Sequence, residues 1–316
     1  MKERINILCA TDANYAPYHG VMLTSLFMNN KESQFDVYML ADETWLDRDT
    51  MRFEKLCQSF DSKFHLIKVD NSAIKHFPQR THITLPTYYR ILACDLLPQS
   101  VQKILLLDGD IIVRGDIRPI WNTNMDGVAF AGVIDSLHFE AETYSRLGYD
   151  RRYGYCNAGV SLYNFDYWRK NNISKQILEF IMLHQENLPF MDQDAINAIL
   201  ATKKKLLPIR YNLQTLYLMK YFSQNFTSDF FYDVVKNASN PIIIHYNGGA
   251  KPWQWRYYCL PYRKEWNEAY KASPWSCARQ YKPFGKFIKH LIKRVFMGEK
   301  YKESCLNGYI EEAKNL

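Results

Sequence analysis

Two carboxylates separated by one glycine follow a short apolar run in the segment 104–113, which reads Ile-Leu-Leu-Leu-Asp-Gly-Asp-Ile-Ile-Val. Such a run predicts a buried parallel strand, which must end before it can carry charge. Asp108 and Asp110 are therefore expected at a strand's carboxyl end, where open α/β sheets bind their ligands. Two neighbouring anions repel unless a cation neutralises them, and their hard oxygens suit Mn²⁺ or Mg²⁺. The motif predicts a divalent metal site, although a solvated surface turn is the alternative.

A second polar segment follows another β-branched run, Ile242–Ile244, and reads His-Tyr-Asn-Gly-Gly-Ala-Lys-Pro-Trp from His245 onward. The histidine offers a third metal ligand at a strand end, or else it is a polar residue satisfied within the fold. Glycines let the backbone approach a ligand closely, and Lys251 is a point charge suited to a phosphate.

A third polar segment, Ala10-Thr-Asp-Ala-Asn-Tyr15, ends the first apolar run of the chain. Hydrogen bonds from Asp12 and Asn14 and stacking on Tyr15 suit a nucleotide base. Aspartate and asparagine also cap helices, so this segment alone is a weak indicator.

The elements around these segments alternate between strand-like and helix-like patterns, which predicts a mostly parallel α/β sheet with flanking helices. The predicted strands are Ile5–Ala10, Asp36–Leu40, Phe64–Val69, the apolar run before Asp108, Val128–Val133, Gly159–Phe165 and Pro241–His245. The predicted helices are Tyr18–Met28, Asp47–Phe60, Pro86–Leu97, Ser174–Glu186 and Asp192–Leu200. The polar stretch Asp135–Tyr155 is expected to be a lid or substrate loop.

Composition narrows the class of protein. The chain has 316 residues and a net charge of +7, but the body before residue 279 is nearly neutral, so no nucleic-acid partner is expected. Aromatic residues make up 15% of the chain and suit sugars and bases, or simply fill the core. The amino terminus lacks a signal-peptide pattern, and seven irregularly spaced cysteines predict neither a zinc site nor a disulfide framework. A cytoplasmic protein is expected.

The excess charge is concentrated near the carboxyl end. The segment from Arg279 to Lys302 contains eight basic residues and one acidic residue. Apolar residues recur at helical spacing from Phe284 to Phe296, which predicts a basic amphipathic helix. Residues 282–302 are therefore expected to lie on an anionic membrane surface, with packing on the domain as the alternative. The predicted domains are 1–260, catalytic, and 261–316, a helical membrane-associating tail.

Six motifs together resemble glycosyltransferase family 8, the retaining nucleotide-sugar transferases that include bacterial lipopolysaccharide galactosyl- and glucosyltransferases. They occur in the family's order between about Ile5 and Trp253. They are Ala10-Thr-Asp-Ala-Asn-Tyr15, Thr87-Tyr-Tyr-Arg90, Leu107-Asp-Gly-Asp110, Asn157-Ala-Gly159, Met191-Asp-Gln-Asp194 and His245-x-x-Gly-x-x-Lys-Pro-Trp253. The glycine between the two aspartates departs from the small side chain that the family more often has.

The resemblance implies a GT-A fold, Rossmann-like in its sheet, with a Mn²⁺-bound (or Mg²⁺-bound) UDP-sugar as donor. Its matched positions assign the metal to Asp108, Asp110 and His245. The full set implied to bind the nucleotide sugar is Ala10, Thr11, Asp12, Asn14, Tyr15, Asp108, Gly109, Asp110, Asn157, Ala158, Asp192, Gln193, His245, Gly248 and Lys251. Arg90, Asn157, Asp192 and Gln193 are implied to lie around the donor sugar. Of these, Arg90, Asp192 and Gln193 are implied to be catalytic, and Asp135 is a weaker match near the acceptor.

The implied enzyme is a hexosyltransferase that moves galactose or glucose to a saccharide or lipid-linked acceptor, such as a lipopolysaccharide, at the inner face of the cell membrane. Front-face displacement, with Gln193 supporting the cationic sugar, is favoured because an amide is a poor nucleophile; double displacement stays open. Two other classes of protein are the alternatives. A haloacid-dehalogenase-like phosphatase also places Asp-x-Asp after an apolar strand, and a non-catalytic sugar-binding protein would explain the aromatic residues.

Overall fold

The computed structural model describes residues 2–79, 85–254, 259–276, 306–314 and 316. The strands in these ranges are β1 (Glu3–Thr11), β2 (Ser33–Ala41), β3 (Lys63–Lys68), β4 (Lys103–Leu107), β5 (Ile111–Val113), β6 (Phe130–Ile134), β7 (Cys156–Asn164), β8 (Lys204–Leu206), β9 (Leu213–Gln214) and β10 (Ile243–His245). The helices are α1 (Ala16–Asn29), α2 (Asp47–Gln58), α3 (Pro86–Leu96), α4 (Arg118–Trp121), α5 (Ala141–Leu147), α6 (Phe165–Lys170), α7 (Ile173–His184), α8 (Met191–Ile199), α9 (Lys220–Ser223), α10 (Ser228–Ala238) and α11 (Arg263–Ala272).

Seven strands form one sheet in the order β3-β2-β1-β4-β7-β6-β8. Four of its six neighbouring pairs are parallel, whereas β7 runs antiparallel to both β4 and β6. A mostly parallel α/β sheet is therefore confirmed. The prediction that β4 is a parallel strand holds only on the side of β1. An apolar residue indicates only that its position is buried. Since a buried strand can have a parallel or an antiparallel neighbour, the apolar pattern could not distinguish the two directions.

The apolar run from Ile104 to Val113 is divided between two sheets. β4 belongs to the seven-stranded sheet, and β5 pairs with β10 in a three-stranded sheet of order β5-β10-β9. Asp108, Gly109 and Asp110 form the crossing between them. The two carboxylates therefore lie at the carboxyl end of β4, as predicted, and at the start of β5.

Alternate residues of the central strands face opposite layers, because successive strand side chains point to opposite sides of a sheet. Ile7 of β1 and Leu105 of β4 join a cluster with α1, α2 and α11, whereas Leu8 and Leu106 join a cluster with α3, α6, α7 and α8. Helices thus cover both faces. Among the described helices, none is both long and apolar enough to cross a lipid bilayer.

The described residues beyond 260 pack against the same core. Trp266 of α11, Trp275, and Leu306, Tyr309, Ile310 and Ala313 are buried in the cluster that contains α1. The backbone N–H of Ile310 donates to the Leu218 carbonyl and that of Lys220 to the Gly308 carbonyl, both at 2.8 Å. The division at residue 260 stays a prediction, and the predicted amphipathic helix 284–296 lies outside the described residues.

The polar stretch between β6 and β7 is folded into short helical turns. A 3₁₀ turn, Ser136–Phe139, is followed by α5 and by a second 3₁₀ turn, Arg151–Tyr153. Aromatic contacts hold the first turn, since the Phe139 ring lies 4.7 Å from that of Phe230. That the stretch Asp135–Tyr155 acts as a lid or substrate loop stays a prediction.

Candidate active site

Three potential metal ligands from two sheets converge at the crossing between β4 and β5. One ligand atom each from Asp108, Asp110 and His245 lies within 4.8 Å of the other two. Asp110 and His245 are buried, and His245 Nε2 lies 3.2 Å from Asp110 Oδ1. Two carboxylates and an imidazole form a donor set that suits Mn²⁺ and related divalent ions. The donor set therefore fits the predicted metal.

Two cations flank these carboxylates. The Lys251 ammonium donates to Asp110 Oδ2 and, at 2.8 Å, to the Tyr246 carbonyl. From α3, the Arg90 guanidinium donates to Asp108 Oδ1 at 2.9 Å and to the Ala158 carbonyl at 2.9 Å, and its Nε lies 3.2 Å from Asp192 Oδ2. Positive side chains from distant parts of the chain thus compensate the charge of the site.

Burial and the neighbouring charges together shift the pKa values of two buried carboxyl groups in opposite directions. Burial alone would raise the pKa of Asp110, but Lys251 and His245 bring it well below the usual range. For Asp192 burial prevails, and its pKa is raised to about 6 even though Arg90 lowers it. Asp110 is thus held as an anion at neutral pH, as a metal ligand must be.

Glycines allow the ligand-bearing segments to approach one another. A Cβ atom on Gly159 of β7 would lie 2.4 Å from His245 Cε1 and 2.7 Å from Asp108 Oδ2. A Cβ on Gly109 would lie 2.9 Å from Cδ2 of His19, a buried residue of α1. The glycine that departs from the family pattern therefore leaves room for an imidazole ring.

The predicted nucleotide-binding segment follows β1 at the same edge of the sheet. Ala10 and Thr11 end the strand. Asn14 is exposed beyond it, and Tyr15 is partly buried, with 38% of its surface exposed. Asp12 Oδ1 accepts from the Tyr15 N–H at 2.9 Å and so holds the turn that leads into α1. Burial and the carboxylates of Asp110 and Asp108 raise the pKa of Tyr15, which indicates that Tyr15 lies near the candidate metal site.

An aromatic cluster of Tyr15, Tyr18 and Trp253 joins this segment to the segment after β10. The rings of Tyr18 and Trp253 stack with centroids 3.7 Å apart and planes inclined by 12°. Tyr15 meets both rings edge-on. Between His245 and Trp253, Gly248 adopts a φ of 82°, a conformation that favours glycine. The stack fixes the end of the segment that carries Lys251.

The predicted sugar-side residues lie on β7 and at the start of α8. Gln193 Oε1 accepts from the N–H of Ala158 at 3.0 Å and from Asn157 Nδ2 at 3.3 Å. Its Nε2 donates to the Tyr155 hydroxyl at 3.1 Å and to Asp135 Oδ2 at 3.4 Å. The Gln193 amide is therefore held in one orientation, and Asp135, the weaker match, is brought beside it.

Asp194 is fully buried beneath this group. Its Oδ1 accepts from Arg146 and from the Tyr155 hydroxyl, each at 2.7 Å, and its Oδ2 accepts from the Phe190 N–H at 2.8 Å. Met191, at the start of the same helix, has a φ of 31°, which is strained for a residue with a side chain. Both oxygens of Asp194 are thus engaged within the protein.

Sequence reasoning missed several residues that support the site. His19, Asn212, Gln214 and Tyr155 are buried and contact predicted site residues or the segments that carry them. Gln214 accepts from Asn247 at 3.0 Å and donates to the Ile134 carbonyl at 2.9 Å, so it joins the segment after β10 to the end of β6. Only the apolar pattern before Asn212 and Gln214 hinted at burial there.

Known proteins resemble the chain over most of its length. A family model described as Glycosyl transferase family 8 matches residues 6–256. Lipopolysaccharide 1,2-glucosyltransferase of Escherichia coli K12 is 28% identical over 297 residues, which cover 92% of this chain and 86% of that protein. General stress protein A of Bacillus subtilis is 30% identical over 278 residues, which cover 87% of this chain and 96% of that protein. Lipopolysaccharide 1,3-galactosyltransferase of Salmonella typhimurium is 27% identical over 320 aligned positions, which cover 98% of this chain and 90% of that protein.

The fold is also similar to a solved structure, that of galactosyltransferase LgtC in complex with donor and acceptor sugar analogues. The superposition has a TM-score of 0.77 at 22% identity and covers 86% of this chain and 99% of that one. The predicted GT-A fold is thereby confirmed, as is the predicted enzyme class of hexosyltransferase. From the match over residues 6–256 and these relatives, the chain belongs to glycosyltransferase family 8.

Proposed function

We propose that this family 8 enzyme transfers a hexose, galactose or glucose, from a UDP-sugar to a saccharide acceptor of a lipopolysaccharide or another cell-surface glycan. The observation that carries the proposal is the convergence of Asp108, Asp110 and His245 within 4.8 Å beside Lys251. Two relatives bear the names lipopolysaccharide 1,2-glucosyltransferase and lipopolysaccharide 1,3-galactosyltransferase, which supports this class of acceptor.

A Mn²⁺ ion held by Asp108, Asp110 and His245 would supply positive charge to the diphosphate leaving group. The chain itself adds Lys251, whose side chain is 14% exposed and whose ammonium lies against Asp110. Partial burial strengthens its attraction for a departing phosphate, because little water competes for the charge. The aromatic cluster of Tyr15, Tyr18 and Trp253 would hold the uridine at the end of β1.

The hydrogen bonds around Gln193 and Asp194 favour front-face displacement. Neither oxygen of Asp194 can attack a sugar without losing its bonds to Arg146, Tyr155 or the backbone. Breaking such a buried pair costs about 3–5 kcal/mol. Gln193 is fixed by four hydrogen bonds, and its amide dipole can support positive charge on the sugar without forming a bond to it. The acceptor hydroxyl would then give its proton to the leaving phosphate.

Release of UDP from UDP-galactose and UDP-glucose, with Mn²⁺, Mg²⁺ or a chelator, tests this proposal. The wild-type protein should release UDP slowly by hydrolysis and faster with an acceptor, in each case only with the divalent ion. Asp110→Asn keeps the size of the side chain but removes its charge, so metal-dependent donor binding should fall severely while the fold is retained. Asp116→Asn, a matched change at a half-exposed Asp that lies beyond the end of β5 and pairs with Arg118, should have no effect.

Other outcomes would assign a different class of protein. Release of orthophosphate in place of UDP indicates the phosphatase alternative, and binding of sugars without release of either indicates a sugar-binding protein. With an α-configured UDP-sugar, the product linkage should be α by NMR. A β-linked product would overturn the proposal that the enzyme retains configuration.

We also propose that residues 282–302 hold the protein on the anionic inner face of the cell membrane, where a lipid-linked acceptor would be reached. Each lysine close to such a surface contributes about 1 kcal/mol at low salt. A truncation at 282 would also remove Leu306 and Ile310 from the core, so the test is a full-length variant with Lys282, Lys286 and Lys289 changed to Gln. It should leave anionic vesicles in flotation at lower salt than the wild-type protein; equal flotation at every salt concentration would contradict the proposal.

A further inference from the structure

A buried asparagine joins the metal side of the site to the sugar side. Asn212 lies between the 3₁₀ turn Ile209–Tyr211 and β9 and has no exposed surface. Its Oδ1 lies 3.0 Å from His245 Nδ1, and its Nδ2 donates to Asn157 Oδ1 at 2.9 Å. One side chain therefore contacts both a candidate metal ligand and a residue predicted to bind the donor sugar.

The orientation of this hydrogen-bond chain follows from a backbone N–H group. The N–H of Gly159 can only donate, and it lies 3.0 Å from Asn157 Oδ1, which must be the oxygen. Asn157 Nδ2 accordingly donates to Asp135 Oδ2 at 2.9 Å. Facing an oxygen of Asn157, Asn212 must present its NH₂ group, so its own oxygen faces His245.

The oxygen of Asn212 requires a proton on His245 Nδ1, because an amide oxygen can only accept. In an imidazole that binds a metal ion, the lone pair would then lie on Nε2, the atom 3.2 Å from Asp110 Oδ1. Partners of this kind fix the tautomer and the ring direction of metal-binding histidines, and their loss costs ten- to a hundredfold in metal affinity.

We propose that Asn212 is a positioning residue that holds His245 in the tautomer required for metal binding and ties the metal side of the site to Asn157 on the sugar side. This inference rests on the proposed Mn²⁺-dependent function. It adds a residue outside all six motifs of the sequence. Because the same side chain serves both neighbours, variants can separate its two contacts.

Two substitutions of similar size separate them. Asn212→Leu removes both contacts and should weaken Mn²⁺ binding to the full-length protein ten- to a hundredfold, measured by electron paramagnetic resonance without any donor. Asn212→Asp keeps an acceptor for His245 but cannot donate to Asn157. It should keep the Mn²⁺ affinity within about threefold of wild type and lose much of the preference for a UDP-sugar over UDP. Asn30→Leu removes another buried asparagine, bonded to the Gly115 carbonyl, and should leave Mn²⁺ binding unchanged.

The tautomer itself is measured by ¹⁵N NMR of His245 in the metal-free protein. Nδ1 should carry a proton in the wild type and in Asn212→Asp, whereas in Asn212→Leu the proton should lie on Nε2, where it can donate to Asp110 Oδ1. Wild-type Mn²⁺ affinity in a folded Asn212→Leu variant overturns the inference. If that variant does not fold, a large loss of Mn²⁺ affinity in Asn212→Asp overturns it instead. Failure of the wild-type protein to bind Mn²⁺ would count against the proposed function rather than against Asn212 alone.

Discussion

Adding one methyl group at Gly159 should disable the metal site more than it destabilises the fold. The new Cβ would lie 2.4 Å from His245 Cε1, where ordinary contacts are 3.4–4 Å, so the imidazole or β7 must move by about 1 Å. Metal ligands tolerate errors of only about 0.2 Å. We therefore expect Gly159→Ala to weaken Mn²⁺ binding by ten- to a hundredfold, or about 1.4–2.7 kcal/mol. Overpacking should also lower the free energy of unfolding by about 1–3 kcal/mol.

Thermal and denaturant unfolding with and without Mn²⁺ separates these two effects. At a Mn²⁺ concentration 100 times its dissociation constant, the wild-type protein gains about 2.7 kcal/mol from binding. A variant weakened a hundredfold gains only about 0.4 kcal/mol at the same concentration. Gly308→Ala is the control, because a Cβ there meets nothing within 4 Å. A Gly159→Ala protein that gains as much from Mn²⁺ as wild type would refute the close packing of Gly159 against the ligands.

Three further changes test other parts of the site. The pKa of Asp192 in the native state is raised to about 6. Between about pH 4 and pH 6 the native state therefore keeps a proton that the unfolded state has released. The contribution of this group to stability falls as the pH rises through that range. The free energy of unfolding of wild type minus that of Asp192→Asn, from urea titrations, should thus be about 2 kcal/mol smaller at pH 7.5 than at pH 4.5; a larger value at pH 7.5 would show the opposite sign. Gln193→Ala should lower kcat more than donor affinity, since its support is needed mainly in the transition state; a loss confined to donor affinity would contradict this role. Trp253→Leu removes the stack on Tyr18 and should weaken UDP binding in calorimetry, whereas unaltered binding would separate the cluster from the nucleotide site.

Strand ends were predictable because polar residues directly after apolar runs mark where a chain leaves the core. That reasoning placed Asp108 directly after β4 and His245 at the end of β10, and the fold brings the two side chains together. It could not supply the direction of β7, because burial of an apolar residue does not depend on strand direction. Nor could it find Asn212, since a single asparagine between strands is typical of a turn and its partners lie 33 and 55 residues away along the chain.

The order in which the ribosome makes the chain gives the late contacts of Leu306, Tyr309 and Ile310 a biosynthetic consequence. A nascent chain that ends at Trp275 already contains every residue predicted to bind metal and donor. It still lacks the side chains that close the core beside Leu218 and the backbone bonds to Leu218 and Lys220. A stop codon or frameshift after residue 276 therefore removes part of the core rather than an appendage, and the core beside Leu218 can reach its final packing only after residue 313 has been synthesised.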